Sequence, residues 1–147
     1  MSVLSSEIGT VIISLDFEIG WGDVTNGVWR RREANGVFPK LRSVLPEILQ
    51  AMDDYEIPVS WATVGAMFEQ PGKRDFAHLK DNQAEIVSDA LSTSKESTFD
   101  GRDLFEQVLN SKQKHAIACH SYSHVPFDYE GFAVSYTHLT LPTNREV

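Results

Sequence analysis

Two short groups of residues carry side chains of the kinds that bind metal ions in proteins. Asp16 and Glu18 are carboxylates on alternate residues, and His120 and His124 are imidazoles four residues apart. At the end of a strand, residues i and i+2 point the same way, so both carboxylates can face one cleft. On a helical turn, a spacing of four puts both histidines on one side, where they can share a divalent cation. Taken singly, each group is also typical of a solvated acidic loop or a polar surface turn.

The combination of the two groups is more informative than either one alone. One carboxylate and two histidines make a facial set of three ligands, and water can take an open position on the ion. The second carboxylate is then free to act as a general base toward that water. These residue types therefore predict metal-assisted hydrolysis.

The segments between the two groups alternate between strand-like and helix-like patterns. Short apolar runs predict strands at residues 10–15, 59–64 and 115–119, and helical spacing predicts helices at 39–55 and 101–111. The first strand is expected to be buried on both faces. Pro46 predicts either a kink in the first helix or a start near Leu45. Asp100 is the expected N-cap of the second helix, whose inward residues are Leu104, Phe105, Val108 and Leu109.

This alternation predicts an α/β fold with a parallel sheet. Ligands in such folds collect at the carboxyl ends of the strands. Asp16 and Glu18 follow the first predicted strand, and His120 and His124 follow the third. Both groups are thus expected at the same edge of the sheet.

Composition narrows the range of partners and compartments. The chain has 147 residues, which fits one domain, and its formal net charge of −8 argues against nucleic acid or an anionic membrane as the main partner. The single cysteine, Cys119, excludes a disulfide framework and a Cys-rich zinc site, and we expect it to be a buried core residue. No run approaches the roughly 20 apolar residues of a membrane span, and residues 1–9 do not resemble a secretory signal. A cytoplasmic protein is expected.

Three segments, Ser14–Glu18, Trp61–Phe68 and Ala118–His124, resemble successive motifs of the polysaccharide deacetylase family. This is the NodB-homology domain, or carbohydrate esterase family four, and the resemblance covers about residues 8–133. It implies a distorted (β/α) barrel. It also implies metal-dependent hydrolysis of N- or O-acetyl groups on carbohydrate substrates, usually with zinc.

By position, the resemblance implies that Asp16 is the catalytic base and that Glu18, His120 and His124 bind the metal. The sequence departs from the common motif, because its carboxylates are spaced as Asp-x-Glu instead of adjacent Asp-Asp. Branches that hydrolyse peptidoglycan amides or small ureides resemble the spaced form. A glycosidase that uses Asp16 and Glu18 as its carboxylate pair stays open as well, and so does a sugar-binding relative without activity.

The last residues of the chain do not continue the pattern. Residues 134–147 resemble a translated sequencing adapter, so we expect a non-native tail there. The chain has about half of the roughly 250 residues of a (β/α) barrel, and the family's later arginine and general-acid histidine have no counterpart. We therefore expect an N-terminal part of the deacetylase domain that is inactive by itself.

Two tryptophans and the three remaining histidines are further residues of types that often occur in functional sites. Trp21 and Trp29 flank the loop after the acidic group, and either sugar stacking or core packing is compatible with their positions. The remaining histidines have no matching partners in the sequence and are expected to be incidental; they are His78, His115 and His138.

Overall fold

A computed structural model describes residues 9–124 of the chain. Its centre is a parallel sheet of three strands in the order β1-β2-β3. The strands are β1 (Ser14–Phe17), β2 (Ser60–Thr63) and β3 (Ala116–Cys119). The α-helices are α1 (Trp29–Ala34), α2 (Val37–Asp54), α3 (Asp81–Thr93), α4 (Glu96–Phe99) and α5 (Arg102–Leu109). Short 3₁₀ helices lie at Trp21–Asp23, Gly65–Met67 and Pro71–Lys73.

The three strands end level with one another. Phe17 pairs with Thr63, and Thr63 pairs in turn with Cys119, so the last residues of the strands form one row across the sheet. The predicted α/β class and the parallel sheet are therefore confirmed. Within the described part of the chain, no helix is both long enough and apolar enough to cross a bilayer.

The core lies between the helices and one face of the sheet. Trp21 is completely buried and Trp29 nearly so, and their rings lie 5.2 and 5.4 Å from the ring of Phe99. Edge-to-face contacts at these separations are typical of packed aromatic cores. Both tryptophans are therefore core residues, and neither forms a platform for sugar.

Burial of the strands differs from the sequence prediction. In β1, Phe17 is buried whereas Asp16 and Ser14 are exposed, so only one face of this strand packs on the core. Val11 and Ile12, just before β1, are also exposed. The prediction of a strand buried on both faces is wrong, because the described residues cover only one face of β1.

Cys119 was expected in the core, and it is exposed. It lies at the end of β3, an edge strand of the sheet, where no further described strand pairs with it. Apolar composition of the run 115–119 does not reveal that the strand lies at an edge. The prediction of a buried thiol is therefore wrong.

The two predicted helices are present, with different details. Helix α2 begins at Val37 and continues through Pro46, so the later start near Leu45 is wrong. Helix α5 begins at Arg102 and its N-cap is Gly101, so the prediction of Asp100 as the N-cap is wrong by one residue. The backbone N–H of Arg102 nevertheless donates to Asp100 Oδ1 at 3.1 Å. Leu104 and Val108 of this helix are buried as expected. Leu109 is exposed, so its prediction as an inward residue is wrong.

Candidate metal centre

The level strand ends bring the two predicted groups together. Glu18 follows β1 directly, and His120 follows β3 directly. The backbone N–H of His120 donates to the carbonyl of Thr63 at 2.8 Å, which extends the β2–β3 pairing by one residue. The Thr63 hydroxyl donates to the carbonyl of Ala118 at 2.8 Å and further fixes the end of β3. The backbone that carries His120 is thus held by the central strand.

Glu18 Oε2 lies between the two imidazoles. It is 3.1 Å from His120 Nε2 and 3.0 Å from His124 Nε2. One ligand atom from each of the three residues lies within 4.8 Å of the others. The side chains are 27–31% exposed, so solvent reaches the group. A carboxylate oxygen and two imidazole nitrogens, with a fourth position open to water, are a donor set that suits catalytic zinc.

The electrostatics of the group favour a positive charge at its centre. The hydrogen bond with His124 lowers the pKa of Glu18 and outweighs burial, which acts in the opposite direction. The same hydrogen bond raises the pKa of His124. The carboxylate therefore stays ionised and attracts a cation, either a proton on the imidazole or a metal ion.

Asp16 lies close to this group but outside the set of three ligand atoms. Its side chain is on the exposed face of β1, where its backbone pairs with Ala62. The negative charge of Asp16 helps to raise the pKa of His124, so the two side chains are near enough to interact electrostatically. This position leaves Asp16 available to act on a reactant without being a ligand.

The loops that carry the ligands have unusual backbone conformations. Ile19, Ser121 and His124 have φ values of 41°, 64° and 56°. Such positive values cost about 1–3 kcal/mol each in residues other than glycine and persist only where neighbours enforce them. The segment 120–124 is consequently not the helical turn that the spacing suggests. The histidines converge because the backbone bends sharply at Ser121 and His124.

Hydrogen bonds from a neighbouring segment hold this bend. Backbone N–H groups of Gly65 and Ala66 donate to the carbonyls of Ser121 and Tyr122 at 3.0 and 2.8 Å. The backbone N–H of His124 donates to Ser121 Oγ at 2.9 Å. The histidine turn, residues 120–124, is therefore anchored on the 3₁₀ helix that follows β2.

Two side chains of the turn make further contacts that the sequence did not indicate. The Tyr122 hydroxyl donates to Glu69 Oε2 at 2.6 Å. Burial, and after it this hydrogen bond, raises the pKa of Tyr122 to about 12. The buried Ser123 hydroxyl lies 3.1 Å from His78 Nε2. His78, for which the sequence shows no partner, therefore contacts the same turn that carries His120 and His124. The contact joins residues 45 positions apart, and no local pattern predicts it.

His115 also has defined partners, and these exclude a catalytic triad. Its Nδ1 accepts the backbone N–H of Val59 at 3.2 Å, so in the neutral ring the proton is on Nε2, 3.0 Å from Ser111 Oγ. The Ser111 hydroxyl in turn donates to Asp53 Oδ1 at 3.1 Å. A triad needs a base nitrogen that accepts from serine and an aspartate that holds the other nitrogen. Here the order of contacts is different, so the three residues fix the entry to β3.

Of the residues singled out in the sequence, the structure thus brings together Glu18, His120 and His124, with Asp16 beside them. His138 and the expected tail at 134–147 lie outside the described residues, as does the end of the expected domain, 125–133. Comparisons with protein-family models, with curated proteins and with solved structures found no match.

Proposed function

We propose that this chain belongs to a metal-dependent hydrolase that removes acetyl groups from N- or O-acetylated sugars of a polysaccharide or peptidoglycan. The observation that carries the proposal is the position of Glu18 Oε2, within 3.1 Å of both His120 Nε2 and His124 Nε2. Glu18 and His120 are 102 positions apart in sequence, and they follow in the order that the polysaccharide deacetylase motifs require. The proposed cofactor is one divalent ion, Zn²⁺ in the first instance.

Each residue has a distinct role in this proposal. Glu18, His120 and His124 hold the ion, which when bound polarises the acyl carbonyl and lowers the pKa of a coordinated water. Asp16 accepts the proton of the attacking water as its oxygen adds to the acyl carbon. The bond between the acyl carbon and the sugar nitrogen or oxygen then breaks, acetate leaves, and the sugar atom takes up the proton that the attacking water gave to Asp16.

The proposed fold is the distorted (β/α) barrel of this family, of which the described sheet would form a part. Three parallel strands in sequential order, with helices between them, agree with such a barrel. The exposed outer edges of β1 and β3 are where further strands would pair.

The geometry of the site argues against the glycosidase interpretation. A glycosidase needs two carboxyl groups that face the scissile bond from either side. Glu18 instead lies against two imidazoles, which that reaction does not use. A ureide or amide hydrolase would share the proposed metal site and differ only in its substrate. The Asp-x-Glu spacing is compatible with this alternative.

The test measures acetate release and metal content together. A form of the protein that also contains the later family motifs is loaded with Zn²⁺ and incubated with an N-acetylated chito-oligosaccharide. Acetate release that disappears with His124→Ala supports the proposal. Cleavage of the glycosidic bond without release of acetate would refute it. Release of ammonia from a small ureide instead of acetate would assign the protein as an amide hydrolase.

A further inference from the structure

The 3₁₀ helix at Trp21–Asp23 places the backbone of Gly22 directly against the Glu18 carboxylate. A Cβ on Gly22 would overlap the Oε1 and Cδ atoms of Glu18 and would lie 3.0 Å from Oε2. Real Cβ atoms do not approach other atoms so closely, so one of the two groups must move if residue 22 carries a side chain.

The backbone at residue 22 is held on both sides and cannot retreat. The N–H of Gly20 donates to the carbonyl of Thr98 at 3.0 Å. Trp21 is completely buried, and its Nε1–H donates to the carbonyl of Phe99 at 2.9 Å. Asp23 is also buried and forms an ion pair with Arg32 at 2.9 Å. Because these anchors belong to the core, the flexible end of Glu18 is the group that must move.

We propose that Gly22 is a positioning residue that leaves room for the Glu18 carboxylate between His120 and His124. The inference deepens the proposed function, on which it rests, because it assigns a second residue to the metal site. Gly22 has no left-handed conformation that alanine would strain; among the described glycines, positive φ values occur at Gly27 and Gly36. The requirement at residue 22 is therefore for space and not for backbone freedom.

The test uses Gly22→Ala in the full chain, with Gly72→Ala as the matched control. Gly72 is also the central residue of a 3₁₀ helix, and a Cβ there would have no atom within 4 Å. Zn²⁺ affinity is measured by calorimetry, and stability by urea unfolding of the metal-free protein. We expect Gly22→Ala to bind Zn²⁺ about 10- to 100-fold more weakly than wild type and to keep its unfolding midpoint. Affinity equal to that of Gly72→Ala would overturn the inference.

A double-mutant cycle shows whether the effect passes through Glu18. With Glu18→Ala in place there is no carboxylate to displace, so Gly22→Ala should change the residual Zn²⁺ affinity of the histidine pair by less than about twofold. A further tenfold loss in that background would overturn the inference. If Gly22→Ala prevents folding with Glu18 present, folding restored by Glu18→Ala supports the inference, and failure in both backgrounds overturns it.

Failure of the proposed function remains distinguishable from failure of this inference. If wild type binds no Zn²⁺, the proposed metal centre is wrong, and the metal-free protein then decides the role of Gly22. The imidazole nitrogen chemical shifts of His120 and His124 report their contacts with Glu18. They should change in Gly22→Ala and stay as in wild type in Gly72→Ala. Unchanged shifts in both variants would overturn the inference.

Discussion

His78 Nε2 lies 3.1 Å from the hydroxyl of Ser123, and this contact links the segment after the Pro71–Lys73 helix to the histidine turn. Ser123 is only 1% exposed, so its hydroxyl is shielded from water. It directly precedes His124, whose backbone is in the left-handed region. Since neighbours must enforce such a conformation, the contact with His78 helps to hold the backbone next to His124, a proposed metal ligand.

Replacement of His78 by leucine should therefore affect both stability and metal binding. An unpaired buried hydroxyl costs about 1–3 kcal/mol, and a loosened turn should weaken Zn²⁺ binding about tenfold or more. Urea unfolding and calorimetry measure the two effects. Ser123→Ala is the control, because His78→Leu should cost clearly less in that background. Equal costs in both backgrounds would show that the contact contributes nothing.

Removal of either histidine ligand should abolish tight metal binding. His120→Ala and His124→Ala each leave two of the three donors, and we expect Zn²⁺ content after dialysis to fall from about one ion per chain to a small fraction. His115→Ala is the matched control, since His115 contacts Ser111 and Val59 and should not affect metal content. Stoichiometric zinc in both ligand variants would mean that the ion binds elsewhere.

The two carboxylates should separate by role. Asp16→Asn should keep its Zn²⁺ and lose about 100- to 10,000-fold in turnover, because it removes a general base. Glu18→Gln should lose metal first and activity as a consequence. Metal analysis and acetate release are measured on the same preparations, in the form that contains the later motifs. Equal metal loss in the two variants would contradict this division.

His115 should make the protein less stable at mildly acidic pH. Burial lowers the pKa of this imidazole below its ordinary value of 6.5, and the nearby Asp53 opposes this only partly. The unfolded chain therefore takes up the proton at higher pH than the folded protein. The contribution of His115 to stability is complete above pH 6.5 and is lost as the pH falls through the lowered pKa.

His115→Asn isolates this effect. The asparagine oxygen can accept the backbone N–H of Val59 in place of Nδ1, and it does not titrate. Urea midpoints of wild type and variant are compared from about pH 7.5 to about pH 5, a range that spans the ordinary histidine pKa. As the pH falls, the urea midpoint of wild type should decrease relative to that of His115→Asn. A pH-independent difference would show that His115 titrates alike in both states.

Strands β2 and β3, and the approach of Glu18 to the two histidines, could be predicted because they depend on short, strong signals; β1 is at Ser14–Phe17 and overlaps the predicted run 10–15 only at its end. Runs of β-branched and apolar residues indicated the strands, and parallel pairing then required the residues after β1 and β3 to meet. Helix α3 was not predicted, since Val87 is the one large apolar side chain among its three buried residues and the others, Gln83 and Ala90, are polar or small. With so little apolar periodicity, helical structure there depends on tertiary packing and on the hydrogen bond from Lys80 N–H to Gln83 Oε1 at 3.2 Å.

The finer structure of the site has no signal in the sequence. Ile19 is β-branched and unfavourable at positive φ, so nothing in its type predicts a φ of 41°. Likewise, the need for glycine at residue 22 comes from a side chain four positions earlier, and becomes visible only when both are placed in space. Steric contacts of this kind arise only when the loops are folded together. The candidate ligands, by contrast, can be recognised from their residue types alone.

The exposed position of Cys119 provides a route for observing the site. It is the single cysteine of the chain, it stands level with Phe17 and Thr63, and it directly precedes His120. A maleimide fluorophore would therefore attach at one defined place beside the proposed centre, in the unaltered sequence. Because Co²⁺ quenches nearby fluorophores, ion binding could be followed by the emission of such a label in real time.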